Sequence, residues 1–135
     1  ALPGGGRLID DSYNANPASV RAGLRALEDL GGERWLVLGE MRELGEGSSQ
    51  LHAEVGEFAR RCGVTRLLAV GDDAHHAVEA FGTGATWFAS VDDMIAALRA
   101  ELGPDVTVLV KGSRSNRLER VSAALASAAA AGTEH

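Results

Sequence analysis

Val106-Thr107-Val108-Leu109-Val110-Lys111-Gly112-Ser113 is the stretch that decides the fold. A segment apolar at nearly every position, rather than at every second one, suits a strand covered on both faces. The run then stops at a lysine, a glycine and a serine. Upstream the same event recurs. Leu8-Ile9 enters Asp10-Asp11, Trp35-Leu36-Val37-Leu38 enters Gly39-Glu40, and Leu67-Leu68-Ala69-Val70 enters Gly71-Asp72. Thr86-Trp87-Phe88-Ala89 is a weaker run of the same kind.

Between these runs the period becomes helical. Val20, Leu24, Leu27 and Leu30 share one face, and Leu51, Val55, Phe58 and Cys62 share another. Ala74, Val78 and Phe81 form a shorter stripe, followed by Met94, Ile95, Leu98 and Leu102. Leu118, Val121 and Leu125 open a last helix that runs to about Ala131. The punctuation agrees. Asn16-Pro17 reads as a cap followed by a first helical residue. Gly31-Gly32, Gly63 and Gly103-Pro104 read as stops, and Ser48 or Ser49 as a cap. Ser90 with Asp93 resembles a capping box. A β-α alternation repeated five times predicts an α/β fold: a three-layer, mostly parallel, Rossmann-like sheet with right-handed crossovers and helices on both faces. Residues 1–135 read as one domain.

Composition narrows the function. A formal net charge of -6 argues against a nucleic-acid partner, which asks for a basic face. No apolar run reaches the roughly 18 residues that span a bilayer, and no signal peptide is visible. Cys62 is alone, so the cytoplasm is the expected compartment. Twelve arginines stand against the single Lys111.

In open α/β sheets, ligands bind beyond the carboxyl ends of the strands. The segments there are Asp10 to Pro17, Gly39 to Gly45, Gly71-Asp72-Asp73, and Lys111 to Ser115. Asp10 and Asp11 could hold a metal ion or accept bonds from ribose hydroxyls; equally, Asp11 and Asn16 could serve a loop and a helix cap. Tyr13 offers a flat face, Asn14 and Asn16 amide donors and acceptors. Lys111 leaves a strand and Gly112-Ser113 leads into a helix, which suits a phosphate or a carboxylate; the bland alternative is a surface turn with Lys111 paired to Asp10 or Asp11. Lys111 is expected at a strand end rather than in the core. Glu40, Arg42, Glu43 and Glu46 read as a solvated loop. His52, His75 and His76 read as surface or partly packed residues without metal spacing, and Cys62 as core. Neither a G-x-x-x-x-G-K-[ST] loop nor a G-x-G-x-x-G fingerprint is present, so the usual triphosphate cradle is missing.

Three motifs in order carry a resemblance over nearly the whole chain. Asp10-Asp11-Ser12-Tyr13-Asn14-Ala15-Asn16-Pro17, Leu38-Gly39-Glu40-Met41-Arg42-Glu43-Leu44-Gly45 with His52 beyond, and Val110-Lys111-Gly112-Ser113-Arg114-Ser115 resemble the third domain of Mur ligases. Many members have Asp where this chain has Glu40. The tyrosine-asparagine form looks like the branch that adds D-alanyl-D-alanine to UDP-N-acetylmuramoyl-tripeptide in peptidoglycan precursor synthesis. The resemblance implies a three-domain, ATP-dependent ligase. Its first domain would bind the UDP-sugar, and its central domain the triphosphate and most of the Mg2+ ligands. Its third would close over the central one and help hold ATP and the dipeptide. By position, Asp11 would accept bonds from the ATP ribose, with Tyr13, Asn14 and Asn16 near the adenosine or the domain interface. Lys111, Ser113 and Arg114 would face the dipeptide carboxylate or the phosphates. Residues 1–135 cover only that third domain, so the chain alone is expected to be inactive, and no metal ligand is assigned within it.

A receiver domain of a response regulator is a rival with the same β-α count. It would make Asp72 the phosphorylated residue and Ser90 the switch hydroxyl, and it leaves 13–17 without a role. A non-catalytic α/β binding domain is a second rival.

Overall fold

A computed structural model describes residues 7–11, 17–29, 32–39, 47–101, 105–111, 120–121 and 123–124. The elements run β1 (Arg7–Asp11), α1 (Pro17–Glu28), β2 (Glu33–Leu38), α2 (Ser48–Arg61), β3 (Arg66–Val70), α3 (His75–Phe81), β4 (Ala85–Phe88), α4 (Val91–Glu101) and β5 (Val106–Lys111). A 3-10 turn, Asp72–Ala74, leads into α3. Arg120, Val121, Ala123 and Ala124 are helical.

The five strands pair in the order β1-β5-β2-β3-β4, and every pairing is parallel. β5 is buried at all six positions, as its unbroken apolar run requires. Its odd and even residues feed two separate cores. Leu109 packs with Val20, Leu24 and Leu27 of α1, Val55 and Ala59 of α2, and Ala77 and Phe81 of α3. Val106, Val108 and Val110 pack on the other face with Met94 and Leu98 of α4, and with Val121. So α1, α2 and α3 cover one face while α4 and helical Val121 cover the other. The chain steps outward from β1 to β4 on the first face and returns to β5 on the second, the arrangement right-handed crossovers demand.

Sequence punctuation mostly marks real boundaries. α1 begins at Pro17, and the Ser90 hydroxyl accepts from the Asp93 amide at 3.1 Å. Gly32, at φ 79°, lies where a Cβ would sit 2.2 Å from the Asp105 carbonyl oxygen, so only glycine fits. Other readings need correction. α2 is preceded by Gly47 without a side-chain cap. Its buried stripe is His52, Val55, Gly56 and Ala59, one step round from the predicted line. β4 spans Ala85–Phe88 rather than 86–89. Leu30, Leu102, Leu118 and Leu125 lie outside the described residues, as do Gly31, Gly103 and Pro104. No helix among the described residues is long and apolar enough to cross a membrane.

Candidate functional site

The carboxyl ends of the strands meet at one rim, and Lys111 stands near its centre. The ladders pair Lys111 with Asp11 of β1 on one side and with Leu38 of β2 on the other. The Gly39 amide donates to the Lys111 carbonyl oxygen at 2.8 Å, which extends the β2-β5 ladder to the rim. α1, which follows β1, and α2, which follows β2, pack on one face, whereas Val121, beyond β5, packs on the opposite face. Open α/β sheets hold ligands beyond the carboxyl ends of the strands, where successive connections leave to opposite faces.

Lys111 is 2% exposed, which corrects the expectation that it lies outside the core. Strand alternation explains this. Residue 111 shares a face with Leu109, so its methylene stem runs under α1. Gly23 makes room: a Cβ there would lie 3.0 Å from Leu109 Cδ2 and 3.2 Å from Lys111 Cε. Gly23 falls on the Val20–Leu27 stripe, and a small residue on an otherwise apolar line was the available signal. A cation so desolvated interacts with nearby charge far more strongly than one in water.

The next rim segments are tied together by hydrogen bonds. His52 is fully buried, not a surface residue, and its Nδ1 lies 2.7 Å from the Ser48 carbonyl oxygen. A carbonyl only accepts, so Nδ1 carries the proton. The Ser48 hydroxyl donates to Asp73 Oδ2 at 2.7 Å, which binds the start of α2 to the turn after β3. Ser48 therefore acts as a cross-link rather than as a helix cap. Asp72 is exposed just beyond β3. His75 and His76 of α3 are partly exposed, with ring centroids 4.0 Å apart. Cys62 is buried in the core, and burial, followed by the hydrogen bond and charge of Glu28, pushes its thiol up to about 11.

Of the residues singled out from sequence, Asp11 and Lys111 are brought side by side by β1 and β5. Tyr13, Asn14, Asn16, Ser113 and Arg114 lie outside the described residues, as do Glu40, Arg42 and the Asp10 and Asp11 side chains. The strand order argues against the receiver reading. Receiver domains follow the order 2-1-3-4-5, in which β1 adjoins β3. Here β5 and β2 stand between β1 and β3. Three strand spacings of nearly 5 Å put Asp72 about 14 Å from the β1 end, too far for one phosphorylation centre.

Residues 2–114 match the family described as Mur ligase, glutamate ligase domain. The chain is 42% identical over 120 residues to the UDP-N-acetylmuramoyl-tripeptide–D-alanyl-D-alanine ligase of Escherichia coli, a match spanning 87% of this chain and 26% of that protein. It is 41% identical over 143 aligned residues to the ligase of the same name from Mycobacterium tuberculosis, covering 87% of this chain and 28% of the relative. Among solved structures, MurF ligase from Thermotoga maritima in complex with ADP superposes with a TM-score of 0.80 at 26% identity, over 92% of this chain and 29% of that one. MurF from Acinetobacter baumannii gives 0.78 at 30% identity, over 93% and 28%. The chain thus spans about a quarter of the length of the curated relatives it matches.

Proposed function

Since this chain belongs to the Mur ligase family, matching its glutamate ligase domain, we propose that it works as the third domain of an ATP-dependent ligase that joins D-alanyl-D-alanine to UDP-N-acetylmuramoyl-tripeptide. In that reaction ATP phosphorylates the carboxylate of the tripeptide, giving an acyl phosphate and ADP. The free amine of the dipeptide attacks the acyl carbon, the amide forms, and inorganic phosphate leaves. The first domain of the ligase holds the UDP-sugar and the central domain cradles the triphosphate. The present domain closes over them with its rim of strand ends. The work is done in the cytoplasm, where ATP and the nucleotide-linked precursor are present.

Lys111 is the observation that carries this reading. It is a nearly fully buried cation at the carboxyl end of a central strand, the end of the sheet where open α/β folds hold ligands. Lys111, with Ser113 and Arg114 beyond it, faces the dipeptide carboxylate or the phosphates. A cation held in place before the reaction stabilises developing charge without reorganising. Asp11, its ladder partner on β1, accepts from the ATP ribose, and Tyr13, Asn14 and Asn16 lie near the adenosine or the domain interface. Closure also excludes water, which would hydrolyse an acyl phosphate. Mg2+ accompanies the ATP. Among the described residues the donor set with metal-binding proximity contains two imidazoles, whereas Mg2+ prefers oxygen. Most of its ligands come, on this reading, from the central domain of the ligase.

The test is a ligase assembled from the first two domains of the Escherichia coli relative and this chain as its third. Amide formation and phosphate release should require all three domains, Mg-ATP and D-alanyl-D-alanine. Ligation by residues 1–135 alone, or an assembled ligase that folds and binds ATP yet forms no amide, would contradict the proposal.

A further inference from the structure

We propose that His75, His76 and Glu79 of α3 form a binding site for a divalent transition-metal ion, Zn2+ by its donor chemistry. Spacing brings the three together. Positions 75 and 79 are four apart and 76 and 79 three apart, so both imidazoles border one carboxylate on the helix surface. Their potential ligand atoms all lie within 4.8 Å of one another. His75 Nε2 and Glu79 Oε1 are already 3.5 Å apart. Two donors on a tetrahedral zinc with bonds near 2.1 Å sit about 3.4 Å from each other, so this pair needs almost no adjustment. Glu79 is well exposed and can swing to complete the set.

The second observation concerns the proton on His75. Its Nδ1 is hydrogen-bonded to the backbone carbonyl oxygen of Asp72, in the 3-10 turn ahead of the helix. A carbonyl can only accept, so Nδ1 carries the hydrogen and the Nε2 lone pair is directed outward. Metal-ligating histidines are typically oriented this way, by a backbone or carboxylate acceptor on the other ring nitrogen. The bond also fixes the ring before any ion arrives. Two imidazoles and a carboxylate suit Zn2+ or its neighbours better than Mg2+ or Ca2+. The set supplies three protein ligands and leaves a fourth position open. Beside it lies a cavity of about 550 Å3 lined by Asp72, His75 and Trp87, so a ligand reaching that fourth position has room. The Trp87 Nε1–H there donates to the Gly71 carbonyl oxygen at 2.8 Å.

The competing explanation is a solvated His75–Glu79 ion pair with no affinity for metal. Calorimetric titration of the 135-residue chain with ZnCl2 at neutral pH separates the two, paired with imidazole nitrogen spectra. One equivalent should bind, the His75 and His76 Nε2 signals should move together, and the thermal midpoint should rise with Zn2+. His76→Ala and Glu79→Gln should each weaken binding about ten-fold or more, while the metal-free midpoint stays unchanged. Undiminished binding in His75→Ala/His76→Ala, or no binding at millimolar Zn2+, would overturn the proposal. The result does not depend on the ligase reading, because no step of that reaction enters it.

Discussion

At Lys111 two demands meet on one side chain. Its stem fills space beneath α1 beside Gly23, while its charge stands in a setting that rewards pairing. Lys111→Met separates them, because methionine keeps most of the packing and removes the cation. Lys111 has an interaction partner in the fold, and leaving that partner unsatisfied costs about 1–3 kcal/mol, so the unfolding midpoint should fall modestly. In the assembled ligase, turnover should fall by about 100-fold or more. Unchanged turnover with a lowered midpoint would make Lys111 a purely structural residue. Cys62 is the opposite case, a reactive group made inert. Its thiol is raised from 9.0 to about 11, chiefly by burial. A raised value means the neutral form is favoured by folding. That contribution is fully present below pH 9 and is lost as pH rises toward 11. Labelling by a disulfide reagent at pH 8 should therefore keep pace with global unfolding; fast labelling of the folded chain would refute this. Lys111 stood out in the sequence as the single lysine at a strand end, but its burial did not. Burial depended on which face of β5 residue 111 occupies and on Gly23 of a distant segment.

Among the elements, α2 and α3 come closest. Gly56 sits where a Cβ would lie 2.2 Å from the Ala77 carbonyl oxygen. In an exposed helix Gly→Ala would stabilise by up to about 1 kcal/mol. Here the clash is with backbone, which cannot rotate away, and overpacking of this kind costs about 1–3 kcal/mol. The clash should win, so Gly56→Ala should lower stability in urea unfolding; a gain would mean the helices separate freely. At the opposite end of the sheet, Arg66 clamps three elements. It donates to both carboxylate oxygens of Glu101 at 3.0 and 3.2 Å, and to the Gly84 carbonyl and Thr86 hydroxyl oxygens at 2.9 Å. The side chain is only 17% exposed. Arg66→Met should cost about 1–3 kcal/mol while leaving ligation by the assembled ligase intact, since it lies away from the rim. Element order and most boundaries could be read from the sequence, because apolar runs and helical stripes are local signals. The face of α2 could not. Periodicity favoured Leu51 and Phe58, whereas His52 and Gly56 are the buried pair. A histidine satisfied by its own helix's carbonyl and a glycine chosen for close packing carry no hydrophobic signature.

For the whole molecule, the sequence indicated a parallel five-stranded α/β sheet but not its strand order. The order β1-β5-β2-β3-β4 comes from a long return crossover, and a count of β-α units cannot distinguish it from the receiver order. Yet that order is what sets Asp11 beside Lys111 and removes Asp72 from them. From the sequence the motif segments were expected to gather at one rim; that Asp11 stands beside Lys111 followed only from the strand order. The decisive measurement is an amide-shift titration of the 135-residue chain with Mg-ATP and then D-alanyl-D-alanine. Shifts should cluster at Asp11, Gly39 and Lys111, on the carboxyl rim. Shifts centred instead on Glu33, Arg66 and Val106 at the opposite end of the sheet, or none at saturating ligand, would contradict a substrate-facing rim.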